Sequence, residues 1–281
     1  MREADPALPV WLDGALVAGH EARIAVGSAA FQHGLGVFET LAVRDGRLLD
    51  LDAHLLRLDD GCEAIGRERP PRTELAGAAR AIACAMHAPV GWLKIVAGRP
   101  WPLAVFGGPA RESEIQAPVS AILLRWRRHS RDPLAGLKSL NYAPFVLGLE
   151  HAAREGADDG LWRNERGHLV SSCSGNLFVV RRRGLFTAST RDGARAGVIR
   201  ELVLAGAREL GLSVHEGKLR TKRLAEADEA FLTSSVRGVR PLIRYEGCPV
   251  GRGVPGPVTR ALTEWVGARR VVDGHCEEQS P

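Results

Sequence analysis

"AGLKSLNYAPF" spans Ala135–Phe145 and carries a single charge, Lys138, among small, apolar and amide residues. The chain has 38 lysines and arginines, yet only four of them are lysines: Lys94, Lys138, Lys218 and Lys222. Wherever a plain positive charge serves, the sequence uses arginine. Arginine stays protonated and is no nucleophile, whereas a desolvated lysine loses its proton readily. A lysine kept in an apolar stretch of such a chain points to a need for an amine, whose usual covalent use is a Schiff base. Read alone, the same lysine fits better a buried stem whose head reaches water. Lys94, in "GWLKIV", has a similar setting.

Composition bounds what surrounds that lysine. At 281 residues, 45% hydrophobic and 25% charged, the chain is expected to be a soluble globular protein of two domains. No apolar run approaches a membrane span. The start, "MREADPALPV", lacks the apolar core of a signal peptide, so a cytoplasmic protein is expected. The five cysteines show no CxxC and no zinc spacing, and are expected to be reduced packing residues. The net charge of +5 suits an anionic small-molecule ligand, or simply an arginine-rich solvated surface. No basic patch interleaves with aromatics, so no nucleic-acid partner is expected.

Along the chain, "VWLDGALV" and "GVFETLAVRDGRLLDL" predict strand pairs turning at Asp-Gly. Leu51, Leu55, Leu58 and Cys62 recur at helical spacing, with Gly66 at the end. A second helix is predicted in "TELAGAARAIACAMHA", with Thr73 as its N-cap. "GWLKIVAG" and "APVSAILLRW" predict strands, separated by a Pro/Gly-rich loop, "RPWPLAVFGGPARESEIQ". "RRHSRDPLAG" is charged and carries a proline, which predicts a linker at 127–136 between a domain at 1–126 and another at 137–281. Short strands follow to Ser189, then a helix over 197–210, one strand in "EAFLTSSVRGVRPLIRY", and a final helix in "PVTRALTEWVGA".

A Schiff-base lysine commonly serves pyridoxal 5'-phosphate (PLP), which also needs a dianion site and a partner for its ring nitrogen. Suitable donors are a bidentate arginine, backbone N–H groups at a helix N-terminus and a hydroxyl. "GARAGVIREL" opens a helix from a glycine-containing loop, "FLTSSVRGV" ends in the hydroxyls of Thr233, Ser234 and Ser235, and "HLLRL" offers Arg57. With "GLGVFETLAVRDG", "LKSLNY" and "GHLVSSCSGNLFVV", these motifs stand in one order, and from about Val10 to Pro249 the chain resembles the class IV aminotransferases, the fold type IV PLP enzymes.

The resemblance implies an α+β fold, with a small N-terminal α/β domain and a larger C-terminal pseudo-barrel domain, in a homodimer whose active site lies between domains near the subunit interface. It places Lys138 on the Schiff-base lysine and Arg57 on the phosphate-binding arginine. Val198 and Ile199 fall on the residues whose N–H groups hold the phosphate, and Ser235 on the hydroxyl that closes the phosphate cup. Tyr142, four residues past Lys138, is in place either to donate to the cofactor's phenolate oxygen or simply to pack.

Three positions depart from the family pattern. Ser171 replaces a glutamate that keeps the pyridine nitrogen protonated, Ile199 replaces a threonine, and Leu35 replaces an aspartate. A serine leaves the ring nitrogen neutral and the cofactor a weaker electron sink. Elimination driven by aromatisation tolerates this better than transamination does. The resemblance therefore leads first to 4-amino-4-deoxychorismate lyase, a folate-pathway enzyme releasing pyruvate and 4-aminobenzoate. Alternatives are a branched-chain or D-amino-acid transaminase, and a non-catalytic relative.

Overall fold

The computed structural model describes residues 5–273. The chain forms two compact units. One runs to Glu112 and adds Leu137–Asn141 and the chain from Arg270; the other takes Ser113–Gly136 and Tyr142–Arg269.

The first unit is built on β1 (Pro9–Leu12), β2 (Ala15–Ala18), α1 (Ala29–His33), β3 (Gly36–Arg44), β4 (Arg47–Leu49), α2 (Leu51–Ala64), α3 (Arg72–Cys84), β5 (Val90–Gly98) and β6 (Leu103–Pro109). Its sheet runs from a short strand at Val272–Asp273 through β4, β3, β5, β6 and β1 to β2. Both Asp-Gly hairpins form: Asp13 and Gly14 have φ of 48° and 95°, Asp45 and Gly46 of 47° and 72°, the left-handed pairs that a two-residue turn requires. The helical spacing after Leu51 is α2, and it buries Leu51, Leu55, Leu58 and Cys62 beneath the sheet with Leu75 and Ile82 of α3. Thr73 lies inside α3, whose N-cap position is Pro71.

The expected loop after β5 contains β6, paired with β5 along Gly91–Ala97 and with β1. Its prolines and glycines concealed the buried Leu103 and Val105. A further backbone stretch joins the sheet beside β3. The Phe38 N–H donates to the Lys138 carbonyl (2.8 Å), and the Leu140 N–H to the Gly36 carbonyl (2.9 Å). Lys138 thus belongs to the first unit, although it follows the expected linker.

A short helix, α4 (Glu112–Gln116), leads into β7 (Val119–Arg128), α5 (Ala143–Arg154), β8 (Asp159–Asn164), β9 (Leu169–Ser172), β10 (Asn176–Arg181), β11 (Gly184–Ala188), α6 (Val198–Glu209), β12 (Ser213–Gly217), α7 (Thr221–Ala225), β13 (Glu229–Ser234), β14 (Gly238–Tyr245), β15 (Cys248–Pro249) and α8 (Pro257–Arg269). The sheet order is β12-β11-β10-β13-β14-β7-β8-β9, with β15 on β14. This is the curled half-barrel expected of the larger domain. Leu161, Leu169, Leu177, Val179, Leu232 and Leu242 pack together on its inner face. Phe178 and Phe231, on the opposite face, pack against α6 and α8.

Two boundaries need correction. β7 pairs with β8 and β14, so its residues belong to the second unit rather than to a domain at 1–126, and 127–136 continue that unit. The strand expected over "EAFLTSSVRGVRPLIRY" is two strands, β13 and β14, joined by a turn that contains Ser235. Cys62, Cys173 and Cys248 are free thiols as expected, whereas Cys84 is disulfide-bonded, which nothing in the cysteine spacing signalled. Among the described residues, no helix is long and apolar enough to cross a membrane.

Candidate active site

Successive residues of a strand face opposite sides of a sheet. On β3, Val37, Glu39 and Leu41 face α2 and α3, and Phe38 and Thr40 face away. Thr40 pairs with Lys94 of β5. The half-buried amines of two lysines meet the Phe38 ring, Lys94 at 4.0 Å from its centroid and Lys138 at 4.3 Å. The ring's negative face attracts both cations. Desolvation holds the Lys94 amine below the usual lysine range. The two lysines that the sequence marked as alike therefore share one aromatic neighbour.

Arg57 stands on α2 and is held at two points by Glu39. Its Nε donates to Oε1 (2.8 Å) and its Nη2 to Oε2 (2.6 Å), the planar fork-to-fork pairing of arginine with a carboxylate. His54, one helical turn earlier and fully buried, contacts Glu39 Oε2 through Nδ1 (2.7 Å). Burial pushes the Glu39 carboxyl upward, but the Arg57 charge and the hydrogen bonds from His54 and Arg57 outweigh it and hold Glu39 well below the usual carboxylate range. Burial dominates at His54 and keeps its pKa low, so the neutral ring donates from Nδ1.

Glu39 and His54 were not singled out from sequence. Their signal is a charge on the core-facing side of a strand, with His and Arg three residues apart on the covering helix. Glu39→Gln removes the charge that the partly buried Arg57 grips at two points, and is expected to cost about 2–3 kcal/mol in urea unfolding at neutral pH. The folded-state pKa of Glu39 is depressed. Its stabilisation is therefore present above the unfolded value and is lost as pH falls through the acid range, so the gap between wild type and variant narrows in acid.

Arg99 donates its Nη1 to the Ile65 carbonyl at the end of α2 (3.0 Å).

In the second unit, α6 opens at Gly197 with no side-chain cap. A Cβ on Gly197 would stand 2.2 Å from Asn176 Oδ1, so only glycine fits. The Asn176 amide fixes the preceding loop by donating to the Arg195 carbonyl (2.8 Å). The N–H groups of Val198 and Ile199, in the first turn, make no hydrogen bond among the described residues. Thr233, paired with Asn176 across β13 and β10, has a buried Oγ1 with no hydrogen-bond partner among the described residues. Ser235 is half-buried in the turn just beyond. An uncapped helix N-terminus, a glycine cradle and an orphaned hydroxyl together suit an anion. The Ile199 side chain lies in the core with Phe178 and Phe231, so only its backbone is available.

Ser171, opposite Trp162 across β9 and β8, is half-buried, and its hydroxyl makes no hydrogen bond among the described residues. The neighbouring turn is pinned by Asp159, which accepts from the N–H groups of Gly160 (2.8 Å) and Cys173 (3.0 Å) and from Ser174 Oγ. Tyr142 stacks on Phe145 with centroids 4.6 Å apart, and its hydroxyl lies 3.4 Å from the Cys173 carbonyl. Burial pushes the Cys173 thiol up to about 12, which suits packing rather than reaction.

Unit by unit, the donors fit a phosphorylated aldehyde: an amine beside an aromatic ring, a guanidinium fixed by a carboxylate, and an anion cradle at a helix start.

The sequence model of amino-transferase class IV matches residues 36–245. The chain is 27% identical to a branched-chain-amino-acid aminotransferase of Escherichia coli, over 91% of this chain and 90% of that protein. It is 26% identical to a D-alanine aminotransferase of Bacillus licheniformis, over 90% and 94%. In fold it is similar to the crystal structure of the Escherichia coli branched-chain amino acid aminotransferase, with a TM-score of 0.85, 23% identity and 93% of each chain covered.

Proposed function

The chain belongs to the class IV aminotransferase family, and we propose that it is a PLP-dependent aminotransferase acting on a branched-chain or D-amino acid. The family's enzymes use PLP, which supplies the electron sink for breaking a bond at the substrate's α-carbon. The observation that carries the reading is the amine of Lys138 seated on the Phe38 ring, in a chain that otherwise writes its cations as arginine. In this reading Lys138 would hold the cofactor through its aldehyde carbon, and its amine, when free, would take and return the substrate's α-proton. Arg57 and the N–H groups of Val198 and Ile199 hold the phosphate, with Ser235 as the closing hydroxyl. Tyr142 donates to the phenolate oxygen, and Ser171 faces the ring nitrogen. A homodimer in the cytoplasm is part of the same proposal, and light scattering of the purified protein tests the first half.

The lyase expectation yields its first place, because the chain is similar over most of its length to a branched-chain and a D-alanine aminotransferase. The non-catalytic alternative yields too, since the family is one of enzymes. The test is an assay of purified, PLP-loaded protein against L- and D-amino acids with a 2-oxo acid acceptor, beside aminodeoxychorismate. Transamination of one of those amino acids supports the proposal. Pyruvate release from aminodeoxychorismate without transamination overturns it.

One observation keeps the lyase as a second reading: the ring-nitrogen position holds an uncharged serine. Ser171→Glu restores a carboxylate there. The expected result is a half-transamination rate raised by about tenfold or more, read as conversion of the bound cofactor to its pyridoxamine form. An unchanged rate removes ring-nitrogen charge as the limit on this enzyme.

A further inference from the structure

The edge strand β12, its neighbour β11 and α7 line a cleft of about 230 Å³ in the second unit that the assigned roles leave unused. Pockets for drug-sized ligands run to roughly 300–1,000 Å³, so this one suits a smaller metabolite. The half-buried ring of Phe186 lines it. The guanidinium of Arg223, on α7, lies 3.8 Å from the centroid of that ring. The His215 ring stacks on Phe186 at 4.6 Å, with the two planes 10° apart. Lys218, just past β12, adds an exposed amine. Two of the chain's four lysines, Lys218 and Lys222, fall in this one stretch, "HEGKLRTKR".

The nearby carboxylates do not answer these charges. Glu216 lines the cleft, but its carboxylate is spent on α6. Its Oε2 accepts from Arg200 Nη2 (2.6 Å), and its Oε1 lies 3.6 Å from Arg208 Nη2. Glu226 is engaged by Arg181 and Lys222. Among the described residues, the Arg223 guanidinium and the Lys218 amine make no hydrogen bond or ion pair. A guanidinium seated on an aromatic face keeps its N–H donors for an anion. The imidazole of His215 has a ring N–H to donate in either tautomer. Phosphate takes both kinds of cation, arginine as a two-point fork and lysine as a point charge.

We propose that this cleft binds a small phosphomonoester through Arg223, Lys218 and His215. None of the three has a part in the proposed transamination, so the inference does not depend on the aminotransferase reading.

The test uses the PLP-loaded full chain, in which the cofactor already fills the cradle at the start of α6. The probes are glycerol 3-phosphate, glycerol and succinate. Calorimetry of wild type is expected to show glycerol 3-phosphate binding that weakens with salt, and no glycerol binding. Succinate, a dianion without the phosphate geometry, is expected to bind about tenfold more weakly or worse. Arg223→Gln is expected to weaken glycerol 3-phosphate by about tenfold or more with unchanged PLP uptake, and Arg223→Lys to restore part of the loss. Thermal melts verify the fold. If Arg223→Gln does not fold, Lys218→Gln, at an exposed position, carries the same expectation. Absence of binding by wild type, or unchanged affinity in a folded variant, overturns the proposal. Succinate bound as tightly as glycerol 3-phosphate overturns the choice of a phosphomonoester. Loss of PLP uptake in step with glycerol 3-phosphate also overturns it, because the anion then sits in the cofactor's own cradle. Failure of wild type to take up PLP at all refutes the aminotransferase reading, while the same variants titrated without cofactor still decide the cleft.

Discussion

Lys138→Arg is expected to leave the fold intact and to lower turnover by about 10⁴-fold or more, since both the covalent attachment and the proton transfer are lost. The geometry makes arginine the informative substitution. Lys138 is half-buried, its carbonyl accepts from the Phe38 N–H, the Leu140 N–H two residues on donates to the Gly36 carbonyl, and its side-chain amine rests 4.3 Å from the Phe38 centroid. A guanidinium keeps the charge and the attraction to the ring, so packing changes little. It cannot attack an aldehyde, because it never gives up its proton in a protein. Borohydride reduction of wild type with PLP, followed by mass spectrometry, is expected to leave the cofactor's mass on residue 138, and none in the variant. Lys94 is the internal control. It meets the same ring and is partly desolvated, so label appearing there would transfer the role to it. Normal turnover by Lys138→Arg would remove Lys138 from the chemistry.

That expectation was reachable from the sequence because a rare residue type stood out against its own background. Other features were equally open. The Asp-Gly turns announce themselves through the left-handed geometry that those residues tolerate, and α2 through the spacing of Leu51, Leu55 and Leu58. Partition of the chain was not. Whether β7 belongs with residues before or after it depends on pairing with β8 and β14, and the second of these lies over a hundred residues away in sequence. The return of Leu137–Asn141 to the first unit depends likewise on hydrogen bonds to β3. Local composition carries no record of such contacts, so a charged, proline-bearing stretch was read as a boundary.

The chemistry divides in the same way. Motif order pointed to Lys138, Arg57 and the start of α6. It did not show that Ser235 sits in a turn, because "TSSVRGV" has the apolar and hydroxyl content of a continuous strand. Nor did it show that Arg223, Lys218 and His215 line one cleft. In a chain so rich in arginine, one more carries no signal until the Phe186 ring brings it together with His215. The preference for a lyase came from one residue, Ser171, weighed through cofactor electronics. The proposal gives more weight to the similarity, over about nine-tenths of the chain, to a branched-chain and a D-alanine aminotransferase.

Arg57→Ala is expected to weaken PLP binding by about 2–5 kcal/mol, roughly 30-fold to several-thousand-fold in Kd, if Arg57 is a desolvated partner of the phosphate dianion. Two effects superimpose in that variant, and they can be separated. Loss of Arg57 also leaves Glu39 buried with His54 alone, since the guanidinium supplies two of the hydrogen bonds that keep the carboxylate ionised. The Glu39 pKa then rises toward its desolvated value and the first unit loses stability, which lowers affinity for any ligand without regard to its charge. Pyridoxal, which lacks the phosphate, is the discriminating ligand. If Arg57 acts on the phosphate, the ratio of PLP to pyridoxal affinity falls by the stated factor. If it acts only through stability, both affinities fall together and the ratio holds. Arg57→Lys is expected to fall between wild type and Arg57→Ala in that ratio, because an ammonium keeps the charge but cannot grip Glu39 at two points. Equal ratios in all three proteins would make Arg57 a structural partner of Glu39 and nothing more.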